Sequence, residues 1–508
     1  MNYYREKVQI VILVLLYCVA FIIQYLISQN INVWFDETYS MITANMTFSQ
    51  MWDRIMHDNH PFIYPTTLWM VEHLFPNSLK AAKLLSLTPV LLCSIWVTIL
   101  WRRYFKHSYL NFLCNVFYTL VSTLSYNMIW MGQEIRSYSL ATMMLTLMGI
   151  YLFLYFLTNS RKHLALLVIF TALGVLTHYY LIFFEGCLYL VLLIMIKVKH
   201  KNFIIWLKPA LFSIVEVCWW LPFGLRQIHT LGYSQAWSQA SFSRLPYYFT
   251  YIISSGKIFD VLFLGLAVLL TFIALLWLCG RNKSSITVNR LELTAGVVYV
   301  CLIFMIIIGA TTYSVVVKPF FIERYSSPAL GLFWLGLTLL LKNILGNIPW
   351  KLTRIYAAIL VAMTLIMTAS NVHAKFVEEY DPGAADFLRA MANRFSESDL
   401  FVTDIEHLSR GVLPIYLHSK ENICVYRDDN NVMQQKDHWY KQYLMESNQI
   451  DLKELDLTKR TVWYFSDTSD YYSQEYFPSA FEKAKKIESI YSGEIDQLYY
   501  FTVYKVEF

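Results

Sequence analysis

Residues 34–40 read WFDETYS and follow the first long apolar run of the chain, at about 8–27. Carboxylates accept protons and hold hydroxyl groups. Two of them at a membrane exit are partly desolvated, which costs free energy unless they serve something. Adjacent side chains on a helix diverge by about 100°, so Asp36 and Glu37 are expected to do different work. The plainer reading of Asp36 is the N-cap of a helix over 37–45. A cap accounts for one carboxylate, and the motif supplies two.

Further candidates recur where the other apolar runs break. Residues 57–65, HDNHPFIYP, bring His57, Asp58 and His60 together. Two imidazoles and a carboxylate are compatible with a divalent metal, but the spacing is not a helical i, i+4 pair and no cysteine helps. A loop closed by Pro61 is the simpler expectation, with Asp58 and His60 as substrate contacts and no metal assigned. In NMIWMGQEIRSYSL, Glu134 and Arg136 either plug the interface as an ion pair or belong to a site. Before the tenth run, VVVKPFFIERYSSPAL places Lys318 and Arg324 on a side otherwise poor in positive charge. A lipid-carrier phosphate would use them, and a guanidinium contacts phosphate bidentately. For Lys318 snorkelling to headgroups is the competing account. His178, beside the interfacial aromatics Tyr179 and Tyr180, is a candidate for the same phosphate. Glu185 and Glu216 lie inside apolar runs, as core acids or as functional ones.

The elements that must position these residues are set by composition. The chain has 508 residues, 57% hydrophobic and only 15% charged, with a mean hydropathy of +0.42, so lipid is the expected solvent. Apolar runs long enough to span recur at about 8–27, 84–101, 108–126, 137–157, 164–178, 181–196, 204–222, 259–279, 294–316, 326–341 and 355–370. About eleven transmembrane helices are therefore expected. The first run is too long for a cleavable signal, and no small-residue cleavage site follows. Alternate connections are basic, among them RRYFKH, NSRKH, KVKHK and GRNKSS, which predicts a cytoplasmic N-terminus and an extracytoplasmic C-terminal part. These loops explain the net charge of +5 without a nucleic acid partner.

Residues 1–370 thus read as a transmembrane domain, with 28–78 as its first outer loop. Thr47 and Gln50 fit a capping box ahead of an interfacial amphipathic helix. Residues 371–508 read as a small extracytoplasmic α/β domain. DPGAADFLRAMANRF has helical spacing, and DLFVTD, NICVYR, RTVWYFSD and YYFTVYKV read as strands. Of eight cysteines only Cys424 falls in this part, so no disulfide framework is expected there. No Walker loop, GxGxxG turn or CxxC pair is present, which argues against a nucleotide-binding domain.

The motifs WFDETYS, DNHPFIY, GQEIRSYSL, THYY and ERYSSPAL, in this order over roughly residues 10–370, resemble the glycosyltransferase-C superfamily. The likeness is to its protein mannosyltransferase-like branch, which includes bacterial lipid-A aminoarabinose transferases. One departure is Phe62, where that branch carries a second proline after His–Pro. The resemblance implies a polyprenyl-phosphate-linked sugar donor, a glycan, lipid or protein acceptor, and reaction at the non-cytoplasmic face of the lipid bilayer. It makes Asp36 the general base, with Glu37 orienting the acceptor. Arg324, Arg136, His178 and Lys318 are then candidates for the donor phosphate, and Asp58, His60, Glu134 and Tyr325 for substrate contacts. Two other readings stay open: an envelope polysaccharide polymerase or ligase using Arg226, Arg244 and Lys257, and a lipid-linked sugar transporter or flippase.

Overall fold

A computed structural model describes residues 2–30, 33, 35–58, 60–76, 78–105, 108–231, 241–279, 289–317, 321–377, 382–392, 399–403, 413, 416, 423–425, 456–467, 477, 479–495 and 499–508. The chain opens with α1 (Asn2–Asn30), followed by the shorter α2 (Phe35–Ala44), α3 (Phe48–Ile55) and α4 (Ile63–Leu74). Then come α5 (Leu79–Tyr104), α6 (Tyr109–Leu124), α7 (Tyr126–Gln133), α8 (Tyr138–Thr158), α9 (Arg161–Val175), α10 (Leu181–Val198) and α11 (Ile204–Leu231). The series closes with α12 (Leu245–Tyr251), α13 (Lys257–Cys279), α14 (Arg290–Val316), α15 (Leu330–Gly346), α16 (Trp350–Val377) and α17 (Pro382–Ala392).

Among the described residues nine helices are long and apolar enough to cross a membrane, and a tenth span results if α6 and α7, bent by 49°, are joined. The chain is a multi-pass membrane protein. The run expected at 164–178 forms α9, of 15 residues. At 1.5 Å per residue it reaches about 22 Å, short of a hydrocarbon core of roughly 30 Å.

The chain divides into two compact units. The first holds Met1–Ser28, Asn59–Thr67 and Lys80–Lys375. Its centre is α8 and α15, apolar on every side and enclosed by the other helices, as a helix without a polar face must be. Where α14 meets α15 the backbones touch: a Cβ on Gly336 would lie 2.8 Å from Tyr299 Cβ and 3.0 Å from the Gly296 carbonyl. Small residues permit such an approach, which replaces the hydrophobic drive that lipid cannot supply. The Tyr299 hydroxyl then donates to the Gly149 carbonyl of α8 at 2.6 Å.

The ends of α8 differ in chemistry. Near Thr158, basic and polar groups gather: Tyr104 meets His163 at 3.0 Å, Arg102 lies 3.5 Å from Glu6, and Lys342 sits 4.0 Å over the Phe105 ring. Near Tyr138, at the other end of this helix of 21 residues, the loops of the candidate site meet.

The second unit holds Gln29–Asp58, Leu68–Leu79 and Phe376–Phe508. Its sheet has the order β2-β1-β3-β5-β4, built from β1 (Leu400–Thr403), β2 (Ile423–Val425), β3 (Val462–Asp467), β4 (Lys486–Ile495) and β5 (Tyr499–Glu507). β1 pairs in parallel with β2 and β3, while β3–β5 and β5–β4 are antiparallel. Strand alternation gives the sheet two apolar faces. Phe401, Phe465, Phe501 and Val503 pack with Leu388 and Met391 of α17, and Val402, Tyr464, Tyr504 and Val506 pack with Leu457 and Phe481. Strand β4 was not expected. It is an edge strand whose KIESIYSGEI intersperses apolar residues among charged and polar ones, so it lacks the apolar run that marked the others.

The same core takes in Val33 from the stretch just before α2. Val33 is fully buried among Leu388, Met391, Phe401 and Phe465, and its backbone N–H donates to the Tyr416 hydroxyl at 3.1 Å.

Candidate active site

In the second unit, helix α2 starts at Phe35, which corrects the expectation that Asp36 is an N-cap. Asp36 and Glu37 occupy the first helical turn, where negative charge is favoured by the unpaired N–H groups of the helix start. Asp36 is half-buried, and its carbonyl accepts from the Ser40 hydroxyl at 2.8 Å. Glu37 is fully buried. Divergence along the helix separates the two environments, as adjacency requires. The capping box is present: the Gln50 N–H donates to Thr47 Oγ1 at 3.4 Å, and the Thr47 N–H donates to Gln50 Oε1 at 3.2 Å. Asp58 is half-buried beyond α3, and His57 faces Asp53 at 3.9 Å.

The first unit gathers residues that lie far apart in sequence. His60 precedes α4, whose Ile63 N–H donates to the Leu176 carbonyl at 3.1 Å and so ties this loop to the α9–α10 turn. Phe62, the departure from the proline pattern, packs its ring 5.1 Å from Trp220 and 6.4 Å from Trp219 of α11. An aromatic anchor thus holds the loop where a proline would have stiffened it. Arg136, in the break between α7 and α8, places Nη2 2.8 Å from His60 Nε2. A guanidinium can only donate, so His60 Nε2 is the acceptor in this contact. The Arg136 N–H donates to the Glu134 carbonyl at 2.7 Å, and both residues are buried.

His178 occupies the α9–α10 turn against the rings of Tyr138, Tyr180 and Tyr325, at 5.6, 5.8 and 6.3 Å. Burial pushes its pKa down to about 3, and the neighbouring His60 and Arg136 push in the same direction. It is therefore a neutral imidazole at neutral pH. Its Nδ1 accepts from the Tyr180 N–H at 3.4 Å, which leaves Nε2–H as a donor. Burial likewise raises the Tyr180 hydroxyl, which stays protonated. Tyr180 lies 4.7 Å from Tyr325, in the 3₁₀ turn Glu323–Ala329 that leads into α15. Arg324 precedes it, half-buried, with its Nε shielded from solvent.

Sequence reading missed the support of this cluster. Gln227 of α11 donates from Nε2 to the His60 carbonyl at 3.2 Å and accepts from the Tyr179 hydroxyl, which takes the Trp220 Nε1–H at 2.7 Å. Tyr179 is thus a bridging residue rather than a headgroup anchor. The only signal in the sequence was the polar pair Arg226–Gln227 closing an apolar run.

The structure therefore brings His60, Glu134, Arg136, His178, Arg324 and Tyr325 to the loops at one end of the first unit. Asp36, Glu37 and Asp58 belong to the second. Lys318 lies outside the described residues. Glu185 of α10 and Glu216 of α11 lie near enough to repel each other as like charges, and the nearby Ser213 hydroxyl donates to the Tyr189 hydroxyl at 3.2 Å. Among the described residues no three His, Cys, Asp or Glu side chains converge as a metal site would need.

Arg136, two imidazoles and phenol hydroxyls in an aromatic setting suit an anionic ligand attached to an apolar body. Arg136 could supply a charge-assisted contact to such a ligand, and the hydroxyl and imidazole donors could add hydrogen bonds. No protein-family model matches the chain, and no curated protein matches it either. Solved structures do. ArnT from Cupriavidus metallidurans in the apo state aligns with a TM-score of 0.59 at 13% identity, over 97% of each chain. The crystal structure of the same protein bound to undecaprenyl phosphate aligns with a TM-score of 0.57 at 12% identity, again over 97% of both. The chain has the ArnT fold. The resemblance read from five short motifs is therefore matched at the level of the fold, which the chain shares with these two ArnT structures.

Proposed function

We propose that the chain is an integral-membrane glycosyltransferase that moves a sugar from a polyprenyl-phosphate donor to an acceptor hydroxyl, on the extracytoplasmic face, with inversion. One observation carries this reading. A buried guanidinium, held by His60 and flanked by neutral imidazole and phenol donors, stands at the end of the helices away from the basic connections. The ArnT likeness supports it, since one ArnT structure is bound to undecaprenyl phosphate. Positive-inside loops then make the basic end cytoplasmic.

In the proposed reaction the acceptor oxygen attacks the anomeric carbon while its proton passes to the Asp36 carboxylate. The bond from C1 to the phosphate oxygen breaks, and the polyprenyl phosphate departs with the electron pair. Arg136 and Arg324 offset the charge that grows on the departing phosphate, the usual largest electrostatic contribution to such a step. His178 and Tyr325 hold the phosphate and sugar by hydrogen bonds and ring contact. Glu37, enclosed in the second unit, orients α2 rather than reacting. The acceptor is a cell-envelope glycan, lipid or protein.

The test is purified protein with labelled polyprenyl-phosphate-sugar. Release of free lipid phosphate that depends on acceptor is the expected result. Asp36→Asn should lower transfer at least 100-fold, the lower range for loss of a general base, with membrane insertion intact. Full activity in that variant would remove Asp36 from the mechanism. The Glu185–Glu216 pair within the helices is what a transport reading would use. In that case the donor stays chemically intact and crosses the bilayer.

A further inference from the structure

Arg54 lies on an amphipathic interfacial helix, where a cation ordinarily faces water. The structure turns it inward. On α3 it is buried with Met51 and Ile55, and only 7% of it is exposed. The guanidinium lies 4.4 Å from the Tyr39 ring centroid, and Nη1 is 3.9 Å from Met46 Sδ. Nε and Nη2 are shielded from solvent and have no hydrogen-bond partner among the described residues. The nearest acid in sequence, Asp53, points out and faces His57.

Burying a guanidinium without an oxygen acceptor is among the costlier choices a fold can make. A cation–π contact offsets only a small part of that cost. A leucine or methionine would hold α2 against α3 without that cost. Tyr39 and Asp36 are three residues apart and share one face of α2, which places Arg54 beside the face that carries Asp36.

We propose that Arg54 is an anion-recognition residue that binds a phosphate group on the substrate meeting Asp36. The role of Asp36 rests on the glycosyltransferase reading; the anion site rests on the geometry alone. The ring face and the thioether are weak partners, and methionine has three rotatable bonds, so both yield to a charge-assisted contact. In a direct displacement the attacking hydroxyl and the departing phosphate stand on opposite sides of the anomeric carbon. A cation beside the base is therefore on the acceptor's side, which points to an acceptor that itself carries phosphate.

Hydrogen–deuterium exchange over residues 47–57 tests this in the full-length protein in phosphatidylcholine nanodiscs. The probes are undecaprenyl phosphate, undecaprenol and inorganic phosphate. Protection by the phosphate-bearing probes and none by undecaprenol is expected, with at least a tenfold loss of apparent affinity in Arg54→Met. Protection by inorganic phosphate that persists under saturating undecaprenyl phosphate assigns the anion to the acceptor; competition between the two assigns it to the carrier. No phosphate-dependent protection in the parent, or full protection in Arg54→Met, overturns the proposal. Should Arg54→Met fail to fold, Arg54→Lys and the parent pattern decide by the same criteria. Sugar transfer measured alongside separates the two ideas. Transfer without protection sinks only the anion site, and Arg54-dependent protection without transfer sinks only the glycosyltransferase reading.

Discussion

His178 shows how far a residue's surroundings can move it from what its type suggests. A histidine near a membrane surface reads as a half-charged contact, yet the aromatic enclosure keeps this one neutral. The pH consequence has a definite sign. Its ordinary pKa of 6.5 is lowered to about 3 in the fold, so between those values the unfolded chain binds the extra proton. Stability from this group is fully present above pH 6.5 and is lost as pH falls toward 3. His178→Gln should flatten that part of the curve. Melting of the purified protein between pH 7 and 4 would show it as a smaller drop than in the parent; parallel curves would contradict the enclosed, neutral imidazole. The cluster as such was not legible in sequence. His60, Arg136, His178, Gln227 and Tyr325 come from five separate breaks in apolar runs, and no local pattern states that those breaks meet. What sequence does record is each break itself, since a polar residue there needs a reason.

At the scale of elements, apolar runs predicted helices well because spanning requires a continuous stretch with its backbone bonds satisfied internally. They predicted β4 poorly because an edge strand can alternate charge with apolar residues, and its pairing with β5 is a tertiary fact. The closeness of α14 and α15 was likewise invisible, since glycine is common in membrane helices for several reasons. Gly336→Val puts side-chain atoms against backbone at 3.0–3.1 Å on the facing helix, which must move. Overpacking of this kind costs about 1–3 kcal/mol. A lower melting temperature and a loosened 3₁₀ turn at Arg324 and Tyr325 should follow, measured by thermal denaturation and by a raised donor KM. Gly309, which has open space around its Cβ position on α14, should accept alanine without either effect.

For the whole molecule, the separation of chemistry along α8 makes a topological prediction. Reporter fusions at residue 160 or 200, beside the basic connections, should report cytoplasm, and fusions after residue 400 should report the exterior. The reverse pattern would put Arg136 and His178 on the wrong side for an extracytoplasmic donor. Composition alone carried the multi-pass class, because lipid as solvent leaves strong marks. The role of the C-terminal part left none.

That role has a temporal side. The hydrogen bond from Val33 to Tyr416 joins residues 383 positions apart, and it fixes the stretch that leads into Asp36. During synthesis the ribosome delivers Asp36 early, but the partner that seats it emerges only after every crossing of the bilayer has been made. A nascent chain therefore holds the stretch before α2 without its Tyr416 partner until the last quarter arrives. On the proposed glycosyltransferase reading, that order keeps a half-inserted chain from spending its lipid carrier on water.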